Sequence, residues 1–517
     1  MMSETLKKNK FAFLSAVILL AHCVYIYLLY LQVPLNSDHA NQILESADIL
    51  KGNLLLRGWN LTGVSFYLSE LPFYVLGTAL FGVDTLAYIF AASLMVMAVS
   101  AAGAFLAAGQ GSGRFGRILL YLGLTGFPTL TWLGYLRGHC AVFAFFFLLL
   151  LCVPRIMKAE DHSPVLLTAA GILTACGCMS DMQLLIIGVG PILLFCLVNL
   201  FRNEPRFDRK QTDRLAITLT AGIAAGILMD ALLMKLGGIN KNAFLDTRKF
   251  TDLDRLGDKF LLLGKGILNV FRVDFPLSGG TFLNRIAAAA AAVILGLTIF
   301  CMVRVLYRFL TEGTGDPAAV ILSFSLLLMS GICFLTDIYT SEDSARYIAY
   351  FPFAAGVLIC RCAMTSGYKL RPLYCGIICL AAAILFLRPV SLHRIESRQD
   401  RLAAFLEENE LKNGYSDFWN ASHTTVAAND RVKVRAIRIR VPVLGEPDHI
   451  EGQNWFCKSE WYTAEPAFFI VFDGREYLHV SEENVGILLG APERVLENGE
   501  YRIWVYDRDI SSEIVWD

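Results

Sequence analysis

Two carboxylates flank a polar loop that lies between apolar segments near the start of the chain. Asp38 follows the apolar run 11–31, and Glu70 interrupts a second, shorter apolar run at 66–82. The first run is long enough for a membrane crossing, which requires about 20 apolar residues. Ionisable side chains are costly beside lipid, so two carboxylates kept at this surface indicate a functional site.

Further polar residues fall on the same predicted side of the membrane as this loop. With the two carboxylates, the set is Asp38, Glu70, the turn Arg137-Gly138-His139, the turn Ser180-Asp181 and the pair Arg346-Tyr347. The centres of the predicted helices are nearly free of charge, with Asp230 as the exception. A transporter more often carries ionisable groups at mid-depth in the bilayer. The gathering of polar groups at one face therefore favours an enzyme that acts on a lipid-linked substrate at that surface.

The composition predicts a polytopic α-helical membrane protein. Of the 517 residues, 55% are hydrophobic and 18% are charged, whereas soluble domains carry about 25% charged residues. About eleven apolar segments meet the length criterion for crossings: 11–31, 84–108, 117–135, 139–154, 164–180, 182–200, 214–236, 282–303, 317–337, 346–363 and 372–388. The segment 66–82 is short and contains Glu70 and Pro72, so we predict a re-entrant or interfacial helix there.

The distribution of lysine and arginine predicts the orientation of the chain. With Lys7, Lys8 and Lys10 in the cytoplasm, every predicted cytoplasmic connection carries basic residues, as the positive-inside rule requires. The opposite side receives carboxylates, including Asp38 and Glu70. We therefore predict a multi-pass protein of the plasma membrane whose N-terminus is cytoplasmic and whose C-terminal region is extracytoplasmic.

The composition changes near residue 390 and divides the chain into two domains. Residues 1–389 form the predicted transmembrane domain, and residues 390–517 have the composition of a soluble domain. In the second domain, residues 391–412 are a predicted polar helix whose buried side is Leu402, Phe405, Leu406 and Leu411. Short alternating segments predict strands at 432–439, 468–471 and 501–506. We therefore predict a small α/β domain outside the cytoplasm.

Two outer loops of the transmembrane domain are long, 32–82 and 237–281. The second loop carries apolar residues at helical spacing, which predicts helices lying along the membrane; the predicted face is Leu253, Leu256, Phe260 and Leu263. The thirteen cysteines fall mostly in apolar runs, so neither a disulfide framework nor a zinc site is indicated. The basic residues flank membrane segments, and nothing in their pattern indicates a nucleic-acid partner.

The first outer loop carries a series of short motifs in a fixed order. They are Asp38, then Ala47-x-x-Leu50-x-Gly52-Asn53, Gly58-Trp59 and Tyr67-x-x-Glu70-x-Pro72-x-Tyr74. This order resembles the first outer loop of GT-C membrane glycosyltransferases, in particular the protein O-mannosyltransferase and aminoarabinose transferase group. The resemblance covers roughly residues 10–390 in layout. It continues at Tyr135-Leu136-Arg137-Gly138-His139 and at Arg346-Tyr347-Ile348-x-x-Phe351-Pro352.

The sequence also departs from that group at three places. Leu71 stands where the group usually has Lys, and His139 stands where many relatives have an acidic residue. Ser180-Asp181-Met182 replaces a Thr/Ser-Lys-Gly-Pro turn. The donor sugar and the metal dependence therefore stay open.

The resemblance implies transfer of a sugar from a polyprenyl-phosphate donor to an extracytoplasmic glycan, lipid or protein of the cell envelope. It implies that Asp38 is the general base and that Arg346, with Arg137, binds the carrier phosphate. Glu70 and His139 would orient the acceptor or hold a divalent metal ion as a cofactor. The remaining predicted substrate-binding residues are Arg57, Asp181 and Tyr347.

The two carboxylates of the first loop also admit structural roles. Asp38, or Ser37 before it, could cap the helix that begins near Ala40. Glu70 could pair with Arg57 and so hold the loop together. The aromatic run that contains Phe418 and Trp419 has two possible roles, as part of the domain core or as a surface that stacks on a sugar, and the sequence favours the core.

The later polar residues admit structural roles as well. His139 could be a satisfied polar residue at a helix start, and Asp181 could bond the break between two helices. Arg346 could pair with Glu342 or Asp343 or reach lipid headgroups. At the level of function, the alternatives are a transporter or flippase of lipid-linked intermediates and a non-catalytic envelope-assembly scaffold. A flippase requires a polar path to the cytoplasmic face, and the sequence contains none.

Overall fold

Long apolar runs make the first part of the chain helical, because a backbone in lipid must satisfy its hydrogen bonds within its own segment. The computed structural model of the protein describes residues 2–109, 113–126, 128–158, 163–202, 207–236, 240–241, 249–271, 281–313, 315–365, 390–443 and 445–516. Within these ranges the transmembrane domain is built almost entirely from helices. Its predicted last crossing, 372–388, lies outside the described residues.

The helices of the transmembrane domain are α1 (Met2–Tyr30), α2 (Ser37–Leu50), α3 (Leu71–Phe81), α4 (Thr85–Ala108), α5 (Arg114–Thr125), α6 (Leu130–Tyr135), α7 (Cys140–Ile156), α8 (Ser163–Ser180), α9 (Gly190–Leu200), α10 (Arg209–Lys235), α11 (Leu256–Phe271), α12 (Thr281–Tyr307), α13 (Pro317–Leu335) and α14 (Phe351–Thr365). A π-helical turn, Leu185–Val189, precedes α9, and a second, Arg308–Glu312, follows α12. A 3-10 helix, Glu342–Ile348, precedes α14. Two short strands, β1 (Trp59–Leu61) and β2 (Asn240–Lys241), lie in the outer loops.

Several of these helices have the length and apolarity of membrane spans. Five described helices meet both criteria: Phe13–Tyr30, Thr85–Ala108, Arg209–Lys235, Ala289–Glu312 and Pro317–Leu335. Shorter apolar helices are Leu71–Phe81, Cys140–Ile156, Pro164–Ser180 and Leu185–Leu200. The described helices therefore fit a multi-pass membrane protein, while the number of eleven crossings stays a prediction.

The segment 117–135, predicted as one crossing, is instead two helices, α5 and α6. The backbone N–H of Gly126 closes α5 on the carbonyl oxygen of Leu122 at 2.6 Å. Pro128 has no N–H to donate and cannot continue the helix. Thr129 then caps α6, because its side chain accepts a hydrogen bond from the N–H of Trp132 at 2.9 Å. The break allows the chain to turn before the Arg137-His139 segment.

The apolar face predicted in the second outer loop is also wrong in part. In α11 the buried positions are Lys259, Leu263, Gly266, Val270 and Phe271, whereas Leu253 and Phe260 are exposed. The buried face therefore differs from the predicted one, as if the helix were rotated about its axis. Lys259 is on the buried face because its ammonium donates to the carbonyl oxygens of Thr336 and Tyr339 at 2.6 and 2.5 Å. The rest of the predicted loop, 237–239, 242–248 and 272–280, lies outside the described residues.

The C-terminal domain is a mixed sheet with helices packed against it. Within the described residues its sheet has seven strands in the order β10-β5-β4-β3-β7-β9-β8, and β3 is parallel to both of its neighbours, β4 and β7. The strands are β3 (Asn413–Ser416), β4 (Lys433–Arg440), β5 (His449–Gly452), β7 (Phe469–Phe472), β8 (Arg494–Asn498), β9 (Tyr501–Val505) and β10 (Ile514–Val515). The helices are α15 (Arg398–Glu408), α16 (Phe418–Ala427), α17 (Glu460–Thr463) and α18 (Glu482–Leu489).

The three strands predicted from the sequence are confirmed within a residue or so as β4, β7 and β9. The predicted helix 391–412 is shorter, because it begins only at Arg398. Ser397 and Asp400 form a capping box that fixes this start, as such reciprocal side-chain bonds do. Its buried residues Leu402 and Leu406 lie in the core of the domain, as predicted.

An interface between the two domains runs along α2. Ser422 in α16 donates a hydrogen bond to the Asn41 side chain at 2.7 Å. Further along α2, the Lys458 ammonium lies 3.2 Å from the Asp48 carboxylate. The strand β1 pairs with β2 and with β6 (Cys457–Lys458) of the C-terminal domain. The first outer loop is therefore sandwiched between the helices and the C-terminal domain.

Candidate active site

Asp38 lies in the first turn of α2, half-buried beside this domain interface. It is not the cap of that helix, because the side chain of Asn36 accepts the hydrogen bond from the His39 N–H at 3.2 Å. Among the described residues, the Asp38 carboxylate has no hydrogen bond or ion pair. Burial raises its pKa, and the nearby guanidinium groups of Arg346 and Arg137 offset part of that rise. Asp38 is thus a carboxylate left free to accept a proton.

Arg137 is held in place by the backbone of the transmembrane domain. Its Nε donates to the carbonyl oxygen of Gly134 at 2.9 Å, and one terminal nitrogen donates to the carbonyl oxygen of Pro34 at 2.8 Å. Pro34 precedes α2 by a few residues, so this second bond ties Arg137 to the segment that carries Asp38. The predicted polar turn is therefore brought to the start of α2.

Arg346 reaches the same place from the 3-10 helix that precedes α14. Its guanidinium carbon lies over the ring of Tyr347, 5.2 Å from the centroid, a distance typical of a cation–π contact. Arg346 is exposed. The alternative pairing with Glu342 is not formed, because Glu342 pairs with Lys265 of α11. The Arg346 guanidinium therefore keeps donors available near Asp38.

A buried pair of side chains, His139 and Asp181, is connected to the Arg346 guanidinium through Tyr347. The Nδ1 atom of His139 lies 2.6 Å from a carboxylate oxygen of Asp181, and the other oxygen accepts from the N–H of Gln183 at 2.9 Å. The His139 ring also contacts the ring of Tyr347, with centroids 5.3 Å apart. Gln183 in turn donates to the Tyr347 carbonyl oxygen at 2.9 Å. His139 and Asp181 are thus linked to Arg346 through Tyr347.

Glu70 lies next to this pair, with only 1% of its surface exposed. Burial raises its pKa to about 8, and the negative charge of Asp181 contributes to the rise. The Gln42 side chain and the N–H groups of Cys140 and Ala141 act in the opposite direction. Neither oxygen makes a hydrogen bond of good geometry among the described residues. At neutral pH Glu70 is therefore protonated.

Three polar residues of α2 were not predicted as site residues and are buried beside the site: His39, Gln42 and Glu45. They recur every three residues, which places them on one face of the helix. His39 is stacked against the rings of Tyr74 and Tyr88, and burial lowers its pKa to about 3. Burial also raises the pKa of Glu45 well above its ordinary value. Their spacing was visible in the sequence, but it is equally typical of a solvated face.

Arg57 is the predicted site residue that the described contacts do not connect to the others. It is exposed in the turn before β1, where its backbone N–H donates to the Asn53 side chain at 2.8 Å. Because Glu70 is buried and Arg57 is exposed, the two do not form the ion pair considered above. Asp230, the charged residue within a predicted helix, pairs with Lys241 at 2.6 Å.

The possible metal site at Glu70 and His139 does not fit the geometry of the described residues. They contain no group of three or more His, Cys, Asp or Glu side chains placed to share an ion. His139 contacts Asp181 through Nδ1 and keeps Nε2 as its possible ligand atom. With Glu70 it would supply two ligands, fewer than the three protein ligands usual at a catalytic zinc ion.

The comparisons with known proteins give a distant likeness among solved structures. No family model matches the chain, and no curated protein matches it. Among solved structures, the chain is similar to ArnT from Cupriavidus metallidurans in the apo state. The two are 11% identical, the likeness covers 96% of this chain and 98% of ArnT, and the TM-score is 0.41.

Taken together, the described contacts bring seven of the eight predicted site residues into one connected region. Asp38, Arg137 and Arg346 lie near one another. The half-buried Tyr347 ring contacts Arg346 and His139, and His139 belongs to the buried group, Glu70, His139 and Asp181. These residues come from α2, from the turns before α3 and α7, from the turn after α8 and from the 3-10 helix. Such an arrangement can accept a proton and bind an anion side by side.

Proposed function

We propose that the chain is a membrane glycosyltransferase that moves a sugar from a polyprenyl-phosphate donor to an acceptor outside the cytoplasm. The observation that carries the proposal is the position of Asp38 beside the guanidinium groups of Arg137 and Arg346. Asp38 has no partner of its own among the described residues, and Arg346 is exposed. A base and an anion site side by side are what displacement of a phosphate by a hydroxyl requires.

In this mechanism Asp38 is the general base. Its carboxylate takes the proton of an acceptor hydroxyl as that oxygen attacks the anomeric carbon of the donor sugar. The bond from the anomeric carbon to the phosphate oxygen breaks at the same time, and its electron pair leaves with the carrier phosphate. Because the attack comes from the face opposite the phosphate, the configuration at the anomeric carbon is inverted.

The two arginines stabilise the charge that develops on the leaving phosphate. A guanidinium can bind a phosphate through two parallel hydrogen bonds, which are stronger when both groups are charged. Such donors favour the transition state when they are already in position before the reaction. The carbonyl oxygens of Gly134 and Pro34 hold Arg137, and the Tyr347 ring lies beneath Arg346.

The buried group acts through these residues. His139, oriented by Asp181, packs against Tyr347 and is a positioning residue for Arg346. Glu70 is neutral at pH 7 and lies beside the first N–H groups of α7, so we assign it the same kind of role. The C-terminal domain, residues 390–517, closes over the first outer loop on the extracytoplasmic side in this proposal.

The test compares the wild type with Asp38→Asn and, as a matched control, with Asp258→Asn at an exposed position of α11. Each purified protein is incubated with polyprenyl-phosphate sugars and an envelope-glycan acceptor. Release of carrier phosphate and label in the acceptor are measured together. We expect turnover by the wild type and by the control, with a fall of at least about a hundredfold in Asp38→Asn.

Two results would contradict the proposal in different ways. Full activity in Asp38→Asn would keep the transferase and remove Asp38 as the base. No turnover by the wild type with any donor would reject the transferase. A lipid-flipping assay on the same preparations would then test the transporter.

A further inference from the structure

The sheet of the C-terminal domain reverses its strand order at β3. The strands β4 and β5 extend the sheet on one side of β3, and β7 and β9 extend it on the other. Both neighbours of β3 run parallel to it, so the loops that follow β3 and β7 leave the sheet at the same end. In open α/β sheets, ligands bind in the crevice outside the strand ends at such a reversal.

The floor of this crevice is polar and internally bonded. Asp417 follows β3 and Asp473 follows β7, and the Asn420 side chain donates to both carboxylates at 2.6 and 2.9 Å. The guanidinium of Arg475 also donates to Asp473, at 2.6 Å. Tyr501 donates to the Asn420 oxygen at 3.0 Å. These bonds hold the two loops together at the strand ends.

The rim of the crevice presents two aromatic rings. Trp419 follows Asp417 by two residues and is 42% exposed, although a tryptophan of a folded domain is usually well buried. The ring of Tyr477, from the loop after β7, lies 6.0 Å from the Trp419 ring, edge to face. Phe418, by contrast, is buried in the core of the domain. The aromatic run therefore supplies one core residue and one residue that faces outward.

This rim faces the start of α2. The hydrogen bond from Ser422 to Asn41 places α16 along α2. Asn41 lies one turn after Asp38, and Trp419 lies one turn before Ser422, since residues three apart share a helix face. The charge of Asp38 also contributes to the raised pKa of Tyr477, after burial. Both aromatic rings are thus on the Asp38 side of the domain interface.

We propose that Trp419 and Tyr477 form a stacking surface for a sugar ring of the acceptor, on the side of the domain interface where Tyr477 lies near Asp38 and the Trp419 ring lies 6.0 Å from the Tyr477 ring. The inference rests on the proposed transferase and narrows its acceptor to a glycan. A tryptophan ring packs its apolar face on the C–H face of a sugar, while the hydroxyl groups at the ring edge stay available. A hydroxyl on that sugar would then face the Asp38 carboxylate, which takes its proton.

The test measures binding without turnover. Full-length protein in lipid nanodiscs is titrated with an envelope-glycan fraction that carries a fluorophore at its reducing end, and no donor is present. Trp419→Ala is compared with Trp419→Phe and with Phe468→Ala. Phe468 is a matched control because it is 40% exposed and lies at the opposite end of β7. Thermal unfolding of each variant verifies that the domain is intact.

We expect Trp419→Ala to bind the glycan about tenfold or more weakly, the scale of a lost aromatic stacking contact. Trp419→Phe should recover most of the loss, and Phe468→Ala should bind as the wild type does. Equal glycan binding by Trp419→Ala and the wild type would overturn the inference. That result is expected if Trp419 contacts lipid headgroups instead of the glycan. No glycan binding by the wild type would overturn it too. Turnover is measured in a separate experiment. If the wild type binds glycan through Trp419 but shows no turnover, only the proposed transferase activity is rejected.

Discussion

The two ends of α2 each carry an aspartate, and the two differ in their hydrogen-bond partners and in the direction of their pKa shifts. Asp48, near the end of the helix, accepts hydrogen bonds from Asn53 at 2.6 Å and from the Trp59 indole at 2.8 Å, and it pairs with Lys458. These partners outweigh the effect of burial and lower its pKa. Asp38, about 15 Å away along the axis, has a raised pKa and no partner among the described residues.

We propose that the contrast separates a structural carboxylate, Asp48, from a catalytic one, Asp38. The bonds of Asp48 join the first outer loop to the C-terminal domain, so that carboxylate contributes to stability. Asp38 contributes no comparable bond, and removing a carboxylate from water even in part without a partner is costly. A cost of this kind is typical of a site where reactivity was favoured over stability.

The most direct test of the difference between Asp38 and Asp48 is to replace each carboxylate in turn with the neutral amide. Asp38→Asn should lower transfer at least about a hundredfold with little change in the free energy of unfolding. Asp48→Asn should lower the free energy of unfolding by about 1–3 kcal/mol and leave the activity of folded protein nearly unchanged. Initial rates and denaturant unfolding of both variants measure the two effects. The comparison would be wrong if the two variants behaved alike.

The second prediction concerns the cation beside Asp38. Arg346→Lys keeps the charge but loses the two-point contact with phosphate, so we expect transfer to fall about ten- to a hundredfold. If Arg346→Lys loses binding of the donor phosphate, the KM for the donor should rise. If it loses a contact made only in the transition state, kcat should fall. Arg494→Lys, at an exposed position of β8, is the control. Unchanged kinetics in Arg346→Lys would remove Arg346 from the phosphate site.

The third prediction concerns Glu70 and pH. The folded protein keeps the Glu70 proton up to about pH 8, whereas the ordinary pKa of this side chain is 4.5. The stability that this proton contributes is present in full below pH 4.5, and it is lost as the pH rises to about 8. Glu70→Gln should therefore unfold with a weaker dependence on pH in this range, and it should keep most activity at pH 7. An unchanged pH profile of denaturant unfolding would contradict the assignment.

The smallest expected effect is at the domain interface near Asp38. Ser422→Ala removes the hydrogen bond to Asn41 and should lower the free energy of unfolding by about 0.5–1.5 kcal/mol. Ser512→Ala, at an exposed position, should have no measurable effect. If Ser422→Ala also raises the KM for a glycan acceptor, α16 helps to position the acceptor as well as the domain. Equal stabilities of the two variants would show that the bond contributes little.

The sequence by itself determined most of the secondary structure. Apolar runs of sufficient length became helices, and alternating segments after residue 430 became β4, β7 and β9. It also placed Asp38 at the start of a helix beside a membrane segment. These features depend on neighbours within a few residues, so local composition and periodicity are enough to predict them.

Only the tertiary structure decided which polar residues share the site. Asp48 and Asp38 lie in the same helix and look alike in the sequence, but one of the partners that distinguish them, Lys458, lies 410 positions from Asp48. The Asp181 carboxylate likewise meets His139 across 42 positions and raises the pKa of Glu70. The outward position of Trp419 and the rotation of α11 also depend on distant contacts. Burial and charge act through space, and the local pattern of a sequence does not contain those distances.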